Sequence, residues 1–356
     1  MAEPTPRRVI NAVAPIRICD IGGWTDTWFA GHGTIFNIGV YPYVEVQIAV
    51  YDRAARPDQI TLHAENYGER TVVVPGQPGP RRHPLLAAAI DELPPPADLA
   101  LAITIYSEVP AGASTGTSAA VTVALLGALD LLTPGRMTAH EIAYAAHRVE
   151  TERLGLQSGI QDQLCSAYGG ISYIEMFRYP HASVSPIPVP NAIWWELERR
   201  LALIFLGRTH SSSAVHEQVI AGLEHEGAAS ARLASLRAAA TAARDALFAG
   251  NFAALGQAMI ANTAAQRALH PALVSADAEA LIQLAREHGA LGWKVNGAGG
   301  EGGSLTVLCG ESASQRRALL RAVQQQNPLF QPIPIYLSRT GLRVWETLGN
   351  NPGGFA

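Results

Sequence analysis

Residues 44–51 (VEVQIAVY) alternate apolar and polar positions with period two, the pattern of a strand with one buried face. Residues 9–11 and 17–21 are short apolar segments on either side of Pro15, and 60–63, 71–74 and 99–107 read as further strands. Residues 118–132 are apolar on most faces and predict a buried helix; 138–154 predict an amphipathic helix that stops at Gly155. A strand follows at 169–176. Pro180, Pro186, Pro188 and Pro190 then mark a domain boundary, giving an N-terminal domain over 1–190 and a C-terminal domain over 191–356. Beyond it come a strand at 201–206, an Ala-rich helical region over 212–267 broken near Gly227 and Gly250, and a helix at 276–288. A Gly-rich turn over 294–303, a strand at 304–309, a helix at 312–327 and a last strand at 333–337 complete the pattern. Strands gathered early and helices later predict an α+β arrangement.

The length, 356 residues, fits about two domains at ~150 residues each. With 48% hydrophobic residues, a sizeable core is within reach. The 26 basic and 30 acidic residues leave a net charge of −4, which argues against nucleic acid or an anionic membrane surface as the main partner. Three scattered cysteines, Cys19, Cys165 and Cys309, suggest neither a disulfide framework nor a zinc motif, and point to a reducing compartment. The N-terminus lacks the apolar run of a signal peptide. The longest apolar stretch, 119–129, stops at Asp130 and is too short to span a bilayer. The expectation is a soluble, cytoplasmic protein. All but one of the basic residues are Arg, and Lys294 is the single lysine.

Three loops carry candidate chemistry. Pro110-Ala-Gly-Ala-Ser-Thr-Gly-Thr-Ser118 joins a strand to the buried helix. Small residues there let backbone N–H groups approach an anion at a helix N-terminus. No lysine follows, so it is not the nucleotide loop GxxxxGK[ST], and it is not GxGxxG; a Ser/Thr-capped helix is the plain alternative. Lys294 precedes Gly297-Ala-Gly-Gly-Glu-Gly-Gly303, whose glycines mean positive φ or close backbone approach. Near the N-terminus, Arg17-Ile-Cys-Asp-Ile-Gly-Gly-Trp-Thr-Asp26 brings a strand into a turn with an aromatic ring and an acid, a pairing suited to a polyol. Glu150 and Asp162 bracket a Gly-containing loop, where one acid could ligate Mg²⁺ and the other act as a base. Each acid is also an ordinary helix or cap residue when taken alone.

In this order the motifs resemble the galactokinase, homoserine kinase, mevalonate kinase and phosphomevalonate kinase (GHMP) superfamily. They are APIRICDIGGWTD (14–26), PAGASTGTSAA (110–120) and KVNGAGGEGG (294–303). Within it, GIQDQLCSAYGG (159–170), the Gly-Gly-Trp-Thr-Asp turn and GRTHSSSAVHEQ (207–218) resemble the sugar-kinase branch, which includes heptose 7-phosphate kinases, fucokinases and galactokinases. The resemblance implies two α+β lobes, the first like the second domain of ribosomal protein S5 and the second ferredoxin-like, with the site in the cleft between them. It also implies ATP- and Mg²⁺-dependent phosphorylation of the anomeric (C1) hydroxyl of a small-molecule sugar or sugar phosphate, a heptose 7-phosphate first among them, by a monomer or homodimer.

By matched position, Asp162 is the catalytic acid and Arg17 its charged neighbour. Pro110, Gly112, Ala113, Ser114, Thr115, Gly116, Thr117 and Ser118 cradle the nucleotide phosphates with Gly297 and Gly299. The resemblance implies Ser118 and Glu150 as the metal ligands. Asp26, Trp24, Gly23 and Gln161 hold the sugar. Ser114 stands where the family has glycine, and if it takes positive φ the cost is about 1 kcal/mol. Glu301 is an extra residue in the late loop, and Gly23-Trp24 replaces the Glu-His of galactokinases. A phosphate already on the sugar would need cations, for which Arg208, His210 and the Arg81-Arg82-His83 cluster are candidates. The alternatives are a free-sugar kinase of fucose or galactose type, a mevalonate-pathway kinase, and a non-catalytic sugar and ATP sensor.

Overall fold

The computed structural model describes residues 4–77, 79, 81–133, 135–208 and 213–347. The two apolar segments around Pro15 are one strand, β1 (Arg8–Ile21), running antiparallel to β2 (Gly33–Asp52). The register shifts between Pro15 and Ile16, where a bulge absorbs the missing N–H. Only the second half of β2 shows alternation in the sequence. Its first half carries Gly33 and Gly39 and is almost wholly buried, so no polar face marks it. β3 (Ile60–Ala64) and β4 (Glu69–Val73) form a hairpin, and β5 (Leu99–Ser107) lies between β2 and β3, parallel to β3. β6 (Ile171–Arg178) pairs with the first half of β2, and β7 (His181–Pro186) with β6.

Helices α1 (Pro84–Glu92), α2 (Thr117–Asp130), α3 (Ala139–Arg148) and α4 (Gln161–Tyr168) share one hydrophobic core with this sheet. α2 is buried along nearly its whole length, as its apolar sequence predicts. Thr138 and Glu141 start α3 with a reciprocal capping box, and a π-helical turn, Val149–Arg153, prolongs it. α5 (Asn191–Arg200) leads to the second lobe. There β8 (Leu201–Phe205), β9 (Gly292–Val295), β10 (Ser304–Leu308) and β11 (Gln331–Ile333) form an antiparallel sheet in the order β11-β8-β10-β9.

The Ala-rich region is three helices, α6 (Ser213–Glu226), α7 (Ala231–Phe248) and α8 (Phe252–Leu269), interrupted at Gly227 and Gly250 as expected. α9 (Ala276–Glu287) and α10 (Ala313–Gln326) build a second core with the small sheet through Leu281, Trp293, Val307 and Val323. The chain then returns to the first sheet. β12 (Tyr336–Leu337) joins β2, and β13 (Arg343–Thr347) joins β1, locked by Arg8 to Glu346 through two hydrogen bonds of 2.9 and 2.8 Å. Among the described residues, no helix is long and apolar enough to cross a membrane. The result is the mixed α/β, two-lobed architecture expected, with α1, α4, α5, β7, β9 and β13 added to the sequence reading.

Candidate active site

β1 carries Arg17 into the interior at 4% exposure. Its guanidinium forks onto Asp162, in the first turn of α4, with Nε to Oδ1 at 2.8 Å and Nη2 to Oδ2 at 3.1 Å, and Nη1 donates to the Ser114 carbonyl. The Arg17 backbone N–H donates to the Thr115 carbonyl at 2.9 Å, so strand and loop are stitched together. Burial works against the charge of Arg17, but Asp162 and Asp20 outweigh it and raise its pKa.

The loop before α2 bends through Gly112 (φ +78°), Ser114 (+56°) and Gly116 (+69°). Ser114 therefore takes the left-handed conformation its glycine counterpart takes freely. Gly116 caps α2, and a Cβ on it would come within 3.1 Å of Asp162 Oδ2. The late glycine loop closes over this segment. Ser304 Oγ donates to the Ala113 carbonyl at 2.6 Å, and a Cβ on Gly297 would stand 3.1 Å from that of Ser114.

Two cavities open from this junction. The larger, about 830 Å³, is lined by all of residues 110–118, with an apolar wall from Leu85, Leu86, Ile105 and Val121. The smaller, about 170 Å³, is lined by Gly23, Trp24, Asp26 and Gln161 together with Asp20, Trp28, Ser158 and Gly159. Arg17, Asp162, His216, Gly297 and Ala298 line both. An anion held at the α2 N-terminus and a polar molecule in the smaller cavity would thus face each other across Arg17 and Asp162.

Asp26 is buried and accepts from the Gln161 backbone N–H at 3.0 Å; burial pushes its carboxyl up to about 6. Gly159 is required beside it, since a Cβ there would fall 2.1 Å from Asp26 Oδ2. Trp24, at φ +78°, meets His216 of α6 edge-to-face with ring centroids 5.4 Å apart. Glu150 lies in the π-helical turn, where Ser158 Oγ (2.6 Å) and Gln163 Nε2 (2.9 Å) donate to Oε2.

Family models match both lobes: the GHMP kinases N terminal domain over residues 85–170 and the GHMP kinases C terminal domain over 243–329. A mevalonate kinase of Thermococcus sibiricus is 31% identical over 68% of this chain and 68% of its own length. A D-glycero-alpha-D-manno-heptose 7-phosphate kinase of Campylobacter jejuni is 25% identical over 70% of this chain and 71% of its own. The fold is shared with the Lactococcus lactis galactokinase complexed with galactose, at TM-score 0.70 and 18% identity, covering 94% of this chain and 95% of that one. The chain belongs to the GHMP kinase family. As a GHMP kinase it is a phosphotransferase whose acceptor is an alcohol group.

Most of the residues picked from the GHMP motifs fall on the two cavities. Gly299 does not line them: it packs on Leu273, whose carbonyl a Cβ would meet at 2.2 Å. Glu150 does not line them either, and no bond links it to Ser118.

The oxygens of Ser118 and Glu150 are of the hard type that Mg²⁺ takes, though no contact joins the two residues. Burial pushes Glu150 up to about 7; it has no ion pair among the described residues, and Ser158 and Gln163 hold its Oε2. Ser118 adds a hard oxygen at the phosphate loop. Among the described residues, no group of three or more His, Cys, Asp or Glu gathers as a metal site.

Of the cations considered for a sugar phosphate, Arg82 and His83 line the larger cavity, Arg81 pairs with Asp91 at 2.7 Å and Arg208 with Asp277 at 3.5 Å. His210 lies outside the described residues. Asp20 and His216, missed as site residues in the sequence, line the smaller cavity. Both lie inside quoted motifs, 14–26 and 207–218, but only the fold turns their side chains to the cavity.

Proposed function

We propose that this GHMP kinase transfers the γ-phosphoryl group of ATP to the anomeric (C1) hydroxyl of an aldose or aldose phosphate, a heptose 7-phosphate being the first substrate to test. The observation that supports this reading best is the meeting of the two cavities at Arg17 and Asp162. The larger cavity takes the nucleotide, with its phosphates on the backbone of 110–118 and Gly297, while Gly299 shapes the late loop. The smaller takes the sugar, with Asp26 and Gln161 on its hydroxyls and Trp24 against its ring, over the floor left open by Gly23.

Phosphoryl transfer has a loose transition state, so positioning and charge neutralisation do most of the catalysis. Asp162 orients the acceptor hydroxyl and takes its proton as the bond to phosphorus forms. Arg17, locked by its fork to Asp162, faces the transferring group and offsets its charge. Ser118 and Glu150 are the residues that would hold Mg²⁺, and the ion would supply positive charge for the phosphates. The active unit would be a cytoplasmic monomer or homodimer with lobes dividing near residue 190, residues 336–347 completing the first sheet.

The higher identity to the mevalonate kinase of Thermococcus sibiricus favours a second reading, phosphorylation of mevalonate. The smaller cavity weighs against it. Asp20, Asp26 and Asp162 line it against one guanidinium, Arg17, an unfavourable balance for a substrate carboxylate. The deciding experiment incubates the protein with Mg·ATP and a panel of aldoses, aldose phosphates and mevalonate, and reads ADP release. Release with a sugar supports the first reading; release with mevalonate alone replaces it with the second.

A further inference from the structure

One acid in the smaller cavity has no catalytic or hydrogen-bonding role in the reading above. Asp20 is 1% exposed, and its Oδ1 is clamped from the second lobe by Lys294 Nζ at 3.2 Å and the Gly297 N–H at 3.1 Å. Its Oδ2 is buried and without a hydrogen-bond partner. Arg17 Nη2 stands 4.0 Å from it, beyond hydrogen-bond reach. A buried charged acceptor left unmade is costly. Two neighbours on the same cavity share the trait: Gln161 Oε1 and Trp24 Nε1 are buried without partners. Gly23 lies among them, and a Cβ on it would come 3.2 Å from Asp20 Oδ2 and 3.1 Å from Gln161 Nε2. The missing side chain keeps the space before both groups open.

We propose that Asp20 is a substrate-binding residue whose Oδ2 accepts a hydrogen bond from a hydroxyl beside the one phosphorylated, while Lys294 and the Gly297 N–H hold its carboxylate in place. This deepens the sugar-kinase reading and rests on it. Two waiting acceptors and one waiting donor, with Asp26 and Asp162 alongside, call for a ligand rich in hydroxyls and without negative charge at that end. The cavity therefore takes the neutral polyol part of the substrate. Any phosphate the substrate already carries lies outside it.

Asp20→Asn isolates the proposal. It keeps an oxygen for Lys294 and Gly297 and turns the waiting acceptor into a donor. Gly23→Ala fills the space in front of that oxygen without touching the Lys294 contact. Steady-state kinetics would use D-glycero-D-manno-heptose 7-phosphate, D-galactose and L-fucose as separate acceptors with Mg·ATP, and mevalonate in parallel. Both variants should raise KM for the accepted sugar about 10- to 100-fold, the loss expected for a hydrogen bond to a charged group, with KM for ATP within about twofold of wild type. A folded Asp20→Asn protein with unchanged sugar KM overturns the proposal. So does a loss confined to ATP KM or melting temperature, which would make Asp20 a structural clamp only. Failure of the parent reading is visible separately, in the wild type, as turnover of mevalonate and of none of the sugars.

Discussion

Arg17 and Asp162, 145 positions apart in the sequence, meet in a two-pronged contact at 2.8 and 3.1 Å where the two cavities join. The pair is both a structural clamp between β1 and α4 and the charged floor of the junction. Asp162→Asn keeps the shape and loses the proton acceptor. It should bind nucleotide as wild type does and turn over at least ~10²-fold more slowly, the low end of what general acid–base help supplies. Nucleotide titration and ADP release measure the two properties; near-normal turnover would remove Asp162 from the chemistry.

Ser114 holds φ +56° without being glycine. Ser114→Gly should relieve the left-handed strain, less what glycine loses in chain entropy, for a net gain of about 0.5–1 kcal/mol. Denaturant titration of the two proteins tests this, and a less stable variant would mean the Ser114 side chain holds the late loop more than the strain costs.

Gly159 lines the sugar-side cavity and packs against Asp26. A methyl there overlaps Asp26 Oδ2, at 2.1 Å, so Gly159→Ala must displace that carboxylate. The expected outcome is a rise of about 10-fold or more in sugar KM, with a stability loss of about 1–3 kcal/mol from overpacking. An unaltered sugar KM would separate Asp26 from substrate binding.

Asp26 also sets a pH dependence. Burial raises its carboxyl to about 6 in the folded protein, against about 3.9 unfolded. Between those values the folded state holds a proton the unfolded state has lost, so stability is fully present below pH ~4 and falls as pH rises through ~6. The loss is about 3 kcal/mol at most. Asp26→Asn should be free of it. Thermal melts of substrate-free protein at pH 4.5 and 7 should show a smaller drop for the variant than for wild type.

The contiguous motifs were legible because their chemistry is local. Gly112, Gly116 and the 297–303 glycines are needed for backbone shape, and shape is written at the position itself. Asp162 and Arg17 could be named from their motifs, but their fork could not. Asp20 stood inside the 14–26 motif, but its role was not legible there, because its partner, Lys294, lies 274 positions away. The lone lysine drew notice by its rarity, and its partner had no such mark. α4 was missed because eight residues flanked by glycines give too few turns for a period. β13 was missed because a five-residue edge strand buries little and shows little pattern. The Arg81-Arg82-His83 cluster reads as a unit in the sequence, yet Arg81 turns to Asp91 and Arg82 to Glu69.

The return of β13 to β1 bears on how the molecule assembles. Arg8 and its partner Glu346 are 338 positions apart, so a ribosome releases the strand that bears Arg17 long before the strand that covers its outer edge. Until then β1 presents unpaired backbone groups over Val9–Val13, the kind of edge that recruits other chains. A nascent chain would thus hold its catalytic strand at risk throughout synthesis, and closure of that edge is a late, long-range event of the sort that slows folding.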